Sequence, residues 1–200
     1  MELTHLFFDI GGVLGTNGWD REQRARAIEH FELDDEFERR HGELVGDWEA
    51  GRIRLADYLE SAVFYEPRPF GPEDFTAYML AQSEPFPDSV AVVRRLSRHG
   101  KVQLMTLNNE AEELNRYRIE HFGLAGLFRA FLSSCWLGLR KPSRLIFERA
   151  LGIAQAVPER VLFIDDRQQN LAPAQALGFQ TLRFTDAESL EKALDERGLL

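Results

Sequence analysis

The sequence predicts an α/β fold: a Rossmann-like parallel sheet core, covered by helices on both faces and split by an inserted helical block. Three observations lead there. Strand-like and helix-like segments alternate from residue 88 onward, as they do where crossover helices connect parallel strands. Residues 20–82 carry only helical periodicity. The first apolar strand is severed from the others by that block and most simply joins the same sheet.

The elements follow in order. Leu6-Phe7-Phe8-Asp9-Ile10-Gly11-Gly12-Val13-Leu14 is an apolar run that meets an aspartate and then two glycines. It reads as a buried strand with Asp9 at its carboxyl end, where open α/β sheets bind ligands. Helical spacing then links Ala25, Ile28 and Phe31; Phe37, Leu44 and Trp48; Leu55, Leu59 and Val63; and Phe75, Met79 and Leu80. Gly51, the stretch 66–72 and Glu84-Pro85-Phe86-Pro87 punctuate the block, the last as a hinge back to the core. A helix over 89–99 follows, capped by Asp88 and stopped by Gly100, then a strand over 102–106 and a helix over 110–122 closed by Gly123. Strands over 130–133, 161–164 and 180–184 alternate with helices over 143–151 and 170–177 before a terminal helix. Residues 1–15 and 84–200 thus form the α/β core domain, and residues 16–83 the helical cap.

With 200 residues and 44% hydrophobic content, the chain can bury one substantial core, or a core domain with a smaller insertion. A net charge of -9 disfavours a non-specific grip on nucleic acid or anionic membrane. Arg94, Arg95, Arg98 and Lys101 read as the solvated face of an amphipathic helix. No apolar segment approaches a membrane-spanning length, because Asp9 interrupts the only candidate near the amino terminus. A single cysteine, Cys135, excludes an internal disulfide or a cysteine-rich metal site, so a cytoplasmic setting is expected.

Four segments place polar groups at predicted strand ends: Asp9; Thr106 with Asn108 and Asn109; Lys141 within Gly138-Leu139-Arg140-Lys141-Pro142; and Asp165-Asp166. In a parallel sheet all four gather on one edge. Each has an ordinary alternative. An aspartate after a strand often caps a turn, a strand-end threonine satisfies backbone, a lysine before proline lies on the surface, and two acids opening a helix suit its dipole. Their order and spacing together favour one shared site. Its groups suit phosphate chemistry, since a carboxylate can attack phosphorus and form an aspartyl-phosphate. Asp9, a backbone carbonyl and Asp165 or Asp166 offer the hard oxygens that Mg2+ prefers. Lys141 and the Thr106 hydroxyl would offset charge on the transferring oxygens.

In chain order, Asp9-Ile10-Gly11-Gly12-Val13-Leu14, Thr106, Lys141 and Asp165-Asp166 resemble the four motifs of the haloacid dehalogenase-like (HAD) hydrolase superfamily, over nearly the whole chain. The block from 16 to 83 is similar to the cap inserted after the first motif. Within the superfamily the chain most resembles the α-D-glucose-1-phosphate phosphatase-like branch, through Trp48-Glu49-Ala50-Gly51-Arg52-Ile53, Leu137-Gly138-Leu139-Arg140-Lys141-Pro142 and Phe163-Ile164-Asp165-Asp166-Arg167-Gln168-Gln169-Asn170.

The resemblance implies a magnesium-dependent phosphatase acting through an aspartyl-phosphate on a small phosphorylated metabolite, as a monomer or homodimer. Asp9 would be nucleophile and metal ligand, the Gly11 carbonyl a second ligand and Asp166 a third, with Asp165 acting through water or as an alternate ligand. Thr106 and Lys141 would hold the phosphate, together with the backbone at Leu107 and Asn108. Trp48 and Glu49 are further candidates in the cap, and Trp19, Arg21, Arg24 and Tyr58 are residues that would choose the substrate if they face the cleft.

Two positions depart from the superfamily pattern. Leu107 stands where an asparagine usually follows the hydroxyl residue. Gly11 stands where most phosphatases of the superfamily resemble one another in having an aspartate that protonates the leaving oxygen. Glycine supplies no proton, so the expected substrates are those whose leaving group departs readily, such as a sugar 1-phosphate. Two alternatives accompany this reading: a 2-haloacid dehalogenase-type hydrolase, which also lacks the second aspartate but resembles Asp-x-Tyr-Gly-Thr at the first motif, and a catalytically weakened HAD-fold binding module.

Overall fold

The computed structural model describes residues 2–200. Its centre is β1 (His5–Phe8), apolar on both faces, with Leu6, Phe7 and Phe8 fully buried. With β2 (Gln103–Asn108), β3 (Ala130–Ser133), β4 (Val161–Asp165) and β5 (Gln180–Arg183) it forms one five-stranded sheet in the order β3-β2-β1-β4-β5. Every pairing is parallel. The chain runs from β1 to one side of the sheet and later returns to the other, so the crevice where ligands bind in such sheets opens beyond the carboxyl end of β1. Register sets what meets there: Phe8 lies beside both Thr106 and Ile164. Asp9 is therefore level with Leu107 on one side and Asp165 on the other.

Between β1 and β2 the chain forms α1 (Arg21–Phe31), α2 (Phe37–Glu49), α3 (Leu55–Ala62) and α4 (Pro72–Ala81). These four helices bury a cluster of their own around Trp19, Phe37, Trp48, Tyr58, Phe75 and Met79. Ala111 and Leu114 join that cluster, which seats the helices above the strand ends. The two crossings into this layer run side by side: Thr16 N donates to the Glu84 carbonyl at 2.9 Å, and Glu84 N donates to Thr16 Oγ1 at 3.1 Å.

The remaining helices, α5 (Pro87–His99), α6 (Glu112–His121), α7 (Ser134–Leu137), α8 (Arg144–Ala154), α9 (Gln168–Ala176) and α10 (Ala187–Asp195), belong to the sheet layer. Alternating side chains give the sheet two apolar faces. Leu6, Phe8, Leu104 and Ile164 pack with Val93 and Leu96 of α5 and Leu190 and Leu194 of α10. Phe7, Met105, Leu107 and Phe163 pack with Ile146 and Phe147 of α8 and with Leu171 and Ala174 of α9.

The structure differs from the sequence expectation beyond β2. The strand does not end at Thr106 but continues to Asn108, because β3 pairs with it from Met105↔Ala130 to Asn108↔Ser133. Helix α6 correspondingly starts at Glu112, which leaves Asn109 and Glu110 as loop, and the short helix α7 has no counterpart in the sequence pattern. Among the described residues no helix is long and apolar enough to cross a membrane.

Candidate active site

Asp9 emerges from β1 with its Oδ1 accepting the Ile10 amide at 2.9 Å, which turns Oδ2 toward Lys141. Lys141 Nζ lies 2.9 Å from Asp9 Oδ2 and 2.6 Å from Asp165 Oδ2. The lysine is held in place from its backbone. Asn109 Oδ1 accepts the Lys141 amide and Asn109 Nδ2 donates to the Lys141 carbonyl, each at 2.8 Å. Asp165 also accepts from Asn170 Nδ2 at 3.0 Å and from the Arg167 amide at 2.8 Å, so both of its oxygens are committed.

Burial dominates the charge balance here. It raises the Asp9 pKa to about 8 against the opposing pull of Lys141, with Asp165 and Asp166 adding repulsion. For Asp165, burial works the same way but is outweighed by Lys141, the Arg167 amide and Asn170, which hold it below the usual carboxylate value. Burial opposes the Lys141 charge, yet Asp9 and Asp165 keep its pKa above normal. Burial and then Asp165 raise Asp166, with Arg167 pulling the other way. Three carboxylates face one lysine ammonium, and a bound cation would restore the ionised form of Asp9.

A hard divalent ion fits this donor set. Asp9, Asp165 and Asp166 each offer an oxygen, all within 4.8 Å of one another. Asp166 Oδ1 is buried with no hydrogen-bond partner among the described residues, unlike the committed oxygens of Asp165. Gly12 makes the room: a Cβ there would fall 2.5 Å from Asp166 Oδ2. All the donors are oxygens, the preference of magnesium rather than of softer metals.

Above these groups lies a cleft of roughly 530 Å³ between the strand ends and the helical layer. Trp48 stacks on Tyr58 at 4.1 Å, and the Tyr58 hydroxyl meets Trp19 Nε1 at 3.1 Å and His41 Nδ1 at 2.9 Å. Arg24 pairs with both oxygens of Glu38, at 2.8 and 2.9 Å. Glu49, at the end of α2, pairs with Arg140 at 2.6 Å, beside Lys141. Trp19, Arg24, Trp48 and Glu49 line the cleft, whereas Tyr58 supports Trp48 from behind and Arg21 lies outside the wall.

The structure gathers Asp9, Gly11 and Lys141 on the cleft wall, with Asp165 and Asp166 beside them. It does not bring Thr106, Leu107 or Asn108 there. Thr106 is fully buried within β2, on the face opposite Leu107, and its Oγ1 has no partner among the described residues. Leu107 is core, and Asn108 donates to Asn115 at 3.0 Å beneath the surface. The wall at this strand end is made instead by Asn109 and Glu110. Pairing with β3 moves the end of β2 outward by two residues and buries the hydroxyl. Glu110, Arg118 and Asn170 are wall residues that sequence reasoning missed. Arg118 carries no signal in sequence, since a helical arginine ordinarily reads as solvated, yet here it is fully buried.

Residues 3–178 match a family model described as haloacid dehalogenase-like hydrolase. The sesquiterpene phosphatase astK of Aspergillus oryzae is 29% identical over 110 residues, and the matched region spans about half of each protein, 55% in both cases. A HAD-family enzyme of Bacteroides thetaiotaomicron, crystallised with magnesium and inorganic phosphate, superposes with a TM-score of 0.78 at 20% identity, covering 92% of this chain and 94% of that one. The L-2-haloacid dehalogenase of Xanthobacter autotrophicus, with chloropropionic acid covalently bound, superposes at 0.66 and 17% identity over 99% of this chain and 84% of that one. At these identities the solved structures speak for the fold.

Proposed function

The chain belongs to the haloacid dehalogenase-like hydrolases, and on that premise we propose that it is a magnesium-dependent phosphatase for a small, polar phosphorylated metabolite, with a sugar 1-phosphate as the favoured class. The observation that carries the reading is the pairing of Lys141 with Asp9 and Asp165 next to an Asp166 oxygen that has no partner among the described residues. A dehalogenase reaction needs no such free oxygen donor, because a halide leaves without charge neutralisation by a cation.

Asp9, Asp166 and the Gly11 carbonyl would hold magnesium, which supplies positive charge to the transferring phosphoryl oxygens. Lys141 adds a second positive charge from the protein and orients the Asp9 carboxylate by hydrogen bond. Asp9 attacks phosphorus, the leaving oxygen departs, and water later releases phosphate from the aspartyl-phosphate. The helices over 16–83 act as a cap that excludes water while the substrate is bound. Arg24, Glu38, His41 and Glu49 on that wall offer hydrogen-bonding groups to a polyhydroxylated substrate, with Trp48 as an apolar face.

The test is a screen of purified protein over sugar, nucleotide and acyl phosphates, with and without magnesium, alongside 2-chloropropionate. Turnover of glucose 1-phosphate that requires magnesium supports the reading. Chloride release without metal would replace it with the dehalogenase, and failure to bind magnesium or any phosphate would leave a binding module.

A further inference from the structure

Gly11 offers no side chain to the leaving group, but the space toward which a side chain would point is filled by charge. A Cβ on Gly11 would lie 3.1 Å from Asn17 Oδ1 and 3.4 Å from Arg118 Nη1. Arg118 is fully buried. Its Nη1 is joined at 2.6 Å to Glu110 Oε2. Glu110, Arg118, Asp9 and Lys141 all line the one cleft. The loop after β2 delivers Glu110 to this place, with its amide donating to Ser134 Oγ at 2.9 Å.

We propose that Glu110 is the general acid of this site, supplying from the end of β2 the proton that Gly11 cannot. The inference rests on the phosphatase reading and fills the step that reading leaves without a donor. As an Asp9 oxygen bonds to phosphorus, the bond from phosphorus to the leaving oxygen breaks and its electron pair stays on that oxygen. The oxygen takes the Glu110 proton and departs as an alcohol, while Glu110 remains as a carboxylate against Arg118. Arg118 is a positioning residue, itself held by Ser83 Oγ at 3.1 Å and by the Thr16 carbonyl.

The surroundings of Glu110 suit a proton donor. Burial raises its pKa to about 7; Glu49 at the end of α2 adds to this, while Arg118 of α6 and Lys141 from the segment before α8 partly offset it. Burial and Glu49 thus favour the protonated form that a general acid needs.

The experiment uses the full chain loaded with magnesium and follows single-turnover phenol release from a series of substituted phenyl phosphates of graded phenol acidity. In Glu110→Gln, release from phenyl phosphate slows by about a hundredfold or more, and release from p-nitrophenyl phosphate, whose phenolate leaves unprotonated, changes little. Wild-type release from phenyl phosphate falls as pH rises through the Glu110 titration, and this limb is absent in Glu110→Gln. If the Gln variant leaves Arg118 too destabilised to fold, Glu110→Asp, which keeps the charge but retracts the carboxyl group, is read by the same criterion. A uniform slowing across the series, or none, overturns the role of Glu110 while the phosphatase reading stands. No release by the wild type from any member of the series, or from glucose 1-phosphate, overturns both.

Discussion

Lys141 Nζ lies 2.6 Å from Asp165 Oδ2, and neither side chain has more than 1% of its surface exposed. Removing the lysine leaves the Asp165 carboxylate buried beside Asp9 without its cation. Lys141→Met should therefore cost on the order of 3–5 kcal/mol in denaturant unfolding at neutral pH, besides abolishing turnover. The pH dependence identifies the cause. Lys141 holds the Asp165 pKa down, so its contribution is full above the ordinary carboxylate value and is lost as pH falls and the group protonates. The gap between wild type and variant should narrow on acidification; a gap that stays constant would point to lost packing rather than lost charge.

Asp166 and Asp165 are neighbours in sequence but should respond differently to magnesium. If Asp166 provides the free oxygen, magnesium at a hundredfold excess over its Kd stabilises the wild type by about 2.7 kcal/mol, visible as a rise in Tm. Asp166→Asn should remove that rise. Gly12→Ala should remove it as well, since the new Cβ would lie 2.5 Å from Asp166 Oδ2. Gly100 provides the control, with the same left-handed backbone (φ +62°) and, among the described residues, nothing within 4 Å of a built Cβ. Gly100→Ala should cost about 1–2 kcal/mol in backbone strain and keep the full magnesium response.

Thr106 separates what the sequence made legible from what it hid. The alternation after residue 88, the buried first strand and the helical block were readable because each is a local pattern of apolar spacing. Asp9 and the Asp165-Asp166 pair were readable because parallel register brings the ends of β1 and β4 level. The end of β2 was not, because its last two residues are strand only through pairing with β3, a contact between distant segments. The same two residues decide whether Thr106 or Asn109 faces the cleft. Thr106→Val should therefore leave turnover within a fewfold of wild type. Replacing a buried hydroxyl that has no partner among the described residues should be neutral or stabilising, by up to about 1–3 kcal/mol. A large fall in turnover with unchanged KM would return the hydroxyl to the site.

His41 ties the cap wall to acidity. Trp19 Nε1 can only donate, so the Tyr58 hydroxyl accepts from it at 3.1 Å and has its own proton to give to His41 Nδ1 at 2.9 Å. That chain suits a neutral imidazole with its proton on Nε2. Burial, followed by the nearby Arg24 charge, lowers the His41 pKa from 6.5 to about 4, against the weaker pull of Glu38 and Asp20. Between these two values the unfolded chain binds a proton that the folded protein refuses, so stability present above pH 6.5 is lost as pH falls toward 4. The loss attributable to this group is on the order of 3 kcal/mol. His41→Gln removes the titration, so the stability advantage of the wild type over this variant should be largest near neutrality and shrink between pH 6.5 and 4. Urea unfolding of both proteins across that range measures the difference directly. An advantage independent of pH would mean that the imidazole is already protonated in the folded cap, or that it is hydrated well enough to titrate normally.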